Sequence, residues 1–240
     1  MTSEATRAST PAGHPTGPAD GRRVAAAARR RKREAEILAA TRALFDERGV
    51  RDAQIEDVAK AVGVNRAIIY RHFTGKEDLF ALTVVQYLRE LEERMHAVDD
   101  EDAPVADRLT AMVGTFFDFG MEYPAFVDCA LTLMRKPGPE LFADVSEGTM
   151  LKLGRALGAC LTRLSEVVEA GSRSGEFKSS NVALTANMLY ASGLGALQLA
   201  RVGLVVSESA PGVPTVETVP PAQVREQMVA AALQMLVAGS

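Results

Sequence analysis

Cysteine occurs only twice in the 240 residues, at Cys129 and Cys160, and histidine three times, at His14, His72 and His96. The two cysteines have neither metal-ligand nor redox-motif spacing, which argues against a zinc site or a disulfide framework and for a reducing cytoplasm. No nucleophile elbow, Walker loop, dinucleotide fingerprint or metal-spaced His/Cys set occurs, so neither an enzyme nor a bound cofactor or metal is expected. The start of the chain, "MTSEATRASTPAGHPTGPADG", lacks the apolar centre of a secretory signal. Strand alternation and aromatic β-formers are scarce as well, which leaves an all-α chain. One apolar stretch, Val182 to Val206, is long enough to suggest a membrane span, but Asn187, Gln198 and Arg201 interrupt it. Gly193, Gly195 and Ala196 suit close helix packing, so a helix buried between its own core and a partner subunit is the preferred reading, with no membrane contact.

With 47% hydrophobic residues the chain can bury a substantial core. Its charge is unevenly spread. Residues 22–96 carry 16 Lys/Arg against 12 Asp/Glu, net +4, whereas residues 97–240 carry 10 against 17, net −7. A basic first third before an acidic remainder suggests that only the first third meets a polyanion. Residues 1–21 are rich in Pro, Gly, Ala and Thr, and the run "RRVAAAARRRKRE" follows. Together residues 1–33 are expected to form a disordered basic extension.

From Glu34 a helix is readable through Ile37, Leu38, Thr41, Leu44, Phe45 and Arg48, with Gly49 ending it. Ile55, Val58, Ala59 and Val62 mark a second, short helix that Gly63 stops. Asn65 then caps a third, from Arg66 to about Phe73. Two short helices joined at "VGVN" form a helix-turn-helix, whose second helix lies in the major groove of duplex DNA. Ile68, Ile69 and Phe73 supply its packed face. Arg66 can reach a guanine, Ala67 permits close approach, and Tyr70, Arg71 and His72 suit the phosphate backbone. Glu56 is expected to face water. "TGKE" reads as a capping box in which Thr74 opens a fourth helix with Glu77 three residues on, and Lys76 in that first turn calls for a phosphate.

The segment "DVAKAVGVNRAIIYRHFTGKEDLF" resembles the N-terminal domain of TetR-family transcriptional regulators over Glu34 to Phe80. Tyr70, His72, Phe73, Lys76, Glu77 and Leu79 stand as that family has them, while Asn65 replaces a serine and Ala67 a glycine. The hydroxyl residue that opens the family's second helix is absent from "AQI", so a phosphate contact there either comes from Gln54 or is missing. The resemblance implies a DNA-binding set of Gln54, Asn65, Arg66, Ala67, Tyr70, Arg71, His72 and Lys76. It also implies a double-stranded DNA operator and a homodimer formed through the last two helices.

The remainder reads as further helices: on to Val98, Val105 to Met121, Ala125 to Met134, Ser146 to Gly171, a helix capped by Asn181 and running to about Val205, and Pro221 to Val237. "RKPGPE" and Ser207–Ala222 read as loops, the second as a flexible surface segment or a clasp. The expected organisation is an extension over 1–33, a three-helix DNA-binding domain over 34–80 and a helical regulatory and dimerisation bundle over 81–240. Met112, Phe116, Tyr123, Phe126, Met134, Leu157, Cys160 and Met188 are the candidate lining of an effector pocket. An acyl chain, a steroid-like molecule or a planar drug would each suit that lining, the acyl chain being preferred. A helical adaptor that binds nucleic acid without sequence preference is the competing reading.

Overall fold

The basic run that composition marked as disordered is helical. In the computed structural model, which describes residues 18–50, 52–135 and 137–237, α1 spans Pro18–Arg48. Four consecutive alanines and the arginines after them are strong helix formers, and helicity propagates back from the packed half of the same helix. The first buried side chain is Ile37, so residues 18–33 form an overhang of about 24 Å at 1.5 Å per residue. The extension expected over 1–33 is thus corrected for its second half, and residues 1–17 lie outside the described residues.

Helices α2 (Ile55–Val62) and α3 (Arg66–His72) follow as the spacing requires. Gly63 sits at φ 70°, a left-handed conformation that lets its N–H reach back to the last carbonyls of α2. Asn65 then starts α3, its side-chain oxygen accepting from the Ile68 N–H at 3.1 Å. Helix α4 (Lys76–Val98) runs unbroken across the expected boundary at residue 80, joined to α1 by the edge-on Phe45–Phe80 pair and packed along α8 (Glu147–Ser174).

Thr74 does not cap α4. Gly75 occupies the N-cap position without a side-chain bond, and Asp78 takes the role of anchor instead. The buried Asp78 carboxylate accepts from the Thr74 N–H at 3.3 Å, from the Ser146 N–H at 3.1 Å and from the Ser146 hydroxyl at 2.8 Å. It therefore pins the start of α4 to the start of α8. Burial disfavours its ionised form, but the bonds from Ser146, Thr149 and Thr74 outweigh burial and hold its pKa below the ordinary aspartate value. Its contribution to stability is complete above about pH 4, the unfolded value, and is lost as pH falls through the lower folded value. Asp78→Ala is expected to destabilise the protein by about 2 kcal/mol at neutral pH, because the half-buried Ser146 and the buried Thr149 lose a charged acceptor. Urea unfolding at pH 7 and pH 3 checks this: the gap between wild type and variant should narrow at the lower pH.

Helices α5 (Val105–Glu122), α6 (Pro124–Met134), α9 (Val182–Val202) and α10 (Pro221–Val237) complete the bundle, and Arg108 forms a two-pronged ion pair with Asp99 across the α4–α5 loop. "RKPGPE" is not simply a loop, since α7 (Gly138–Asp144) begins within it after Pro137. Helix α9 ends at Val202 rather than Val205, because Gly203 takes the left-handed cap. The expected loop after it is a β-hairpin of β1 (Leu204–Ala210) and β2 (Val213–Thr218). Its register puts Leu204, Val206, Glu208, Pro214, Val216 and Thr218 on one face, and Val205, Ser207, Thr215 and Glu217 on the other. The first face is exposed, with Val206 at 74%, and α9 separately carries an exposed stripe of Leu184, Met188, Leu199 and Val202. α9 is the one helix among the described residues long and apolar enough to cross a membrane; its opposite side is packed through Ala186, Leu189, Gly193, Leu194 and Leu197.

Candidate nucleic-acid interface and effector cavity

On α3 the 3.6-residue period separates two faces. Ile69 and Phe73 are buried, Ile68 is half-buried, and Arg66, Ala67, Tyr70 and Arg71 are exposed. The exposed set contains a fork of donors, a methyl, a phenol and a second cation, which is a surface able to read base edges and hold phosphates. Asn65 is exposed but its oxygen is engaged in the cap. Gln54 is exposed at the N-cap of α2, where its N–H donates to Asp57 at 3.2 Å. His72 is half-buried, with Nδ1 shielded and unpartnered among the described residues, so only the rest of its ring is open to a phosphate. Lys76 stands in the first turn of α4 with Nζ 5.1 Å from the Phe80 ring centre.

Glu56 does not simply face water. Arg66 Nη1 donates to its Oε1 at 2.7 Å, and Arg66 Nη2 donates to the Tyr70 hydroxyl at 3.1 Å. The hydrogen bond from Arg66 to Tyr70 and the neighbouring Glu56 charge raise the guanidinium pKa further, so Arg66 is a fixed cation. Both partners hold it extended across the α2–α3 junction. An exposed ion pair of this kind is weak, so a guanine edge can compete for the fork.

A second polar network ties α1 to the bundle. Arg42 of α1 pairs with Glu90 of α4 and lies 4.3 Å over the Tyr87 ring and 4.8 Å over Tyr123. The Tyr87 hydroxyl donates to Asp46 of α1 at 2.6 Å. Burial, followed by that donation to Asp46, pushes the phenol pKa upward, so it remains a donor. Arg94 continues the chain by donating to Glu90, Glu122 and Tyr123 at the α5–α6 corner. Residues 41 and 48 positions apart are thereby joined, which links α1, α4 and the corner in one network.

The apolar candidates separate in space. Met112, Phe116 and Cys160 line a cavity of about 40 Å³ inside the bundle, together with Leu91, Leu164 and Tyr190. Phe126 is wholly buried among Phe116, Phe119 and Tyr87 and belongs to the packed core. Tyr123 belongs to the Arg42–Arg94 network instead. Met134 and Leu157 line a different hollow beside α7. Met188, 49% exposed, points away from the bundle with the α9 stripe. Tyr190 is a lining residue outside the set expected from sequence; its one signal is an aromatic at helical spacing from Ala186 and Leu194.

Residues 37–83 match the family described as "Bacterial regulatory proteins, tetR family". The chain is 28% identical over 102 residues to the HTH-type transcriptional activator FasR of Mycolicibacterium smegmatis, covering 42% of this chain and 47% of that protein. It thus spans about half the length of such curated relatives. Among solved structures, RolR in complex with resorcinol superposes with a TM-score of 0.63 at 17% identity, over 88% of this chain and 90% of that one. FadR from Bacillus subtilis in complex with stearoyl-CoA gives 0.58 at 19% identity, over 85% and 98%. Likenesses at such identities establish a shared fold.

Proposed function

We propose that the chain is a member of the TetR family of bacterial regulatory proteins, a sequence-specific DNA-binding transcriptional regulator and a cytoplasmic homodimer released from its operator by a small apolar ligand. The observation that carries the reading is the two-faced α3: capped by Asn65, packed through Ile69 and Phe73, and presenting Arg66, Ala67 and Tyr70 outward. On this reading residues 34–80 read DNA, and residues 81–240 bind ligand and dimerise. The unpartnered stripe on α9, with α10 beside it, supports a two-fold contact between protomers. A dimer that sets two recognition helices near one helical turn apart, or a multiple of it, reads a pseudo-palindrome.

Ligand release follows from linkage. Helix α4 lines the cavity through Leu91 and Met95 and carries Lys76 at its other end, so a ligand that shifts α4 changes the spacing of the two α3 helices. The coupling is reciprocal, and about 1 to 3 kcal/mol is typical. The Arg42–Glu90 and Tyr87–Asp46 contacts transmit the shift to α1. Binding that a ligand abolishes is the logic of a repressor. The acyl-chain preference gains support from the stearoyl-CoA complex of the FadR neighbour.

Arg66→Ala tests the reading directly. Operator affinity should fall on the order of tenfold to a hundredfold, and a binding-site selection should lose base preference at one position of each half-site. Unchanged preference would remove Arg66 from base readout.

A further inference from the structure

An acid stands among the exposed residues of the helix-turn-helix. Glu56, in the first turn of α2, and Arg66, at the start of α3, are each 59% exposed, and the carboxylate Oε1 accepts from Arg66 Nη1 at 2.7 Å. A carboxylate in that place opposes every phosphate contact, because like charges repel. The first turn of α2 does not need it. Asp57 already supplies negative charge there, and its side chain closes back on the Gln54 N–H at 3.2 Å. Among the described residues, Arg66 is the one hydrogen-bond partner of the Glu56 side chain. The function of Glu56 therefore lies in what the pair presents outward.

A guanidinium carries five N–H groups. The bonds to Glu56 and to the Tyr70 hydroxyl at 3.1 Å engage one on each terminal nitrogen, so a further N–H on each stays open to a base edge. The Tyr70 ring, 5.3 Å from the Arg66 Cζ, supports the guanidinium from the side. Beside the fork stands a carboxylate whose second oxygen has no partner among the described residues. Across the pair the surface offers donor, donor, acceptor. The major-groove edge of a G·C pair offers the complement: acceptors at guanine N7 and O6, then the cytosine N4 donor. An A·T pair offers acceptor, donor, acceptor, so its last two groups meet their own kind. A phosphate offers acceptors alone, which the carboxylate repels. We propose that Glu56 is a specificity-determining residue: it accepts from the N4 amino group of the cytosine paired with the guanine that Arg66 binds, so the two side chains read one G·C pair together. Its repulsion of phosphates lowers affinity for unrelated duplexes, which widens the gap between operator and other DNA.

The inference rests on α3 lying in the major groove. Binding-site selection with the full-length protein identifies the guanine whose preference Arg66→Ala abolishes. In the duplex so selected, the cytosine opposite that guanine is replaced by N4-methylcytosine, which keeps the base pair but covers the amino hydrogen facing the groove. Wild type should lose on the order of tenfold in affinity on methylation. Glu56→Ala should bind the unmodified duplex more weakly than wild type does and be indifferent to the methyl group, a non-additivity that marks a direct contact. Glu56→Gln, which keeps the shape and removes the charge, should bind unrelated duplexes several-fold more tightly at low salt. The exposed pair contributes little to the fold, so thermal unfolding of both variants should match wild type. Equal losses on methylation in wild type and Glu56→Ala, or no loss in either, would overturn the role of Glu56 and leave Arg66 as a reader of guanine. A selection that returns no preferred guanine, or one that Arg66→Ala leaves intact, would overturn the groove reading on which both roles depend.

Discussion

Replacing Arg29, Arg30, Arg31, Lys32 and Arg33 by glutamine should weaken binding to every duplex, operator and unrelated sequence alike, by on the order of a hundredfold or more at moderate salt. Glutamine keeps the helix, so the change removes charge from a scaffold that remains. All five side chains are exposed on the overhang of α1, with no acidic residue between Arg22 and Arg33. Each phosphate neutralised releases counterions, and the logarithm of affinity falls with the logarithm of salt by about 0.9 per contact. Titrations from low to moderate salt should therefore show a shallower slope in the variant. Because Arg33 already pairs with Glu36 at 3.0 Å, fewer than five contacts are expected to be lost. A slope equal to that of wild type would mean that the overhang lies away from the DNA. The relative preference for operator over other sequences should persist, since phosphate contacts position the protein without reading bases.

The other large effect is expected on the exposed face of α9. Leu184→Glu together with Met188→Glu places two carboxylates on a surface that faces solvent in the single chain, so the fold itself should lose little stability. In a two-fold dimer the same change sets like charges against each other across an apolar contact. Sedimentation velocity should then find monomers, and operator affinity should drop by roughly a hundredfold or more, because the second half-site no longer benefits from effective concentration. An unaltered dimer would move the contact elsewhere, with the hairpin's Val206 and Val216 as the next surface to charge.

What could be read in advance was what local chemistry decides. Gly63 and Asn65 end and begin helices through bonds within four residues, and both stand where the sequence placed them. Asn181 does the same for α9, accepting from the Leu184 N–H at 3.0 Å. The cap of α4 was different, because the decisive acceptor, Asp78, is fixed by Ser146, 68 positions away. The basic run illustrates competing signals: its charge density suggested a solvated arm, while its alanines carry a helix that the packed half of α1 nucleates. The hairpin stayed hidden because Pro211 and Pro214 break the alternation and its valines at 206, 213 and 216 are exposed.

The same distinction holds for the site. Arg66, Ala67 and Tyr70 follow from the period of one short helix, so their exposure could be anticipated. The Glu56 contact could not, since it depends on the angle between α2 and α3. Among the apolar candidates, Met112, Phe116 and Cys160 share a cavity, whereas Met188 lies on the outer face of a helix that is apolar most of the way round. Periodicity alone cannot say which side of such a helix turns inward.

The measurement that bears most directly on the account is fluorescence anisotropy of the purified protein with labelled fragments from the region flanking its own gene, against a scrambled duplex, across a salt series. The account predicts tight binding to one fragment, a dimer per site, and a preference over the scrambled duplex that survives at physiological salt. Equal, weak binding to every duplex, vanishing as salt rises, would contradict it and return the chain to an adaptor with a basic helix.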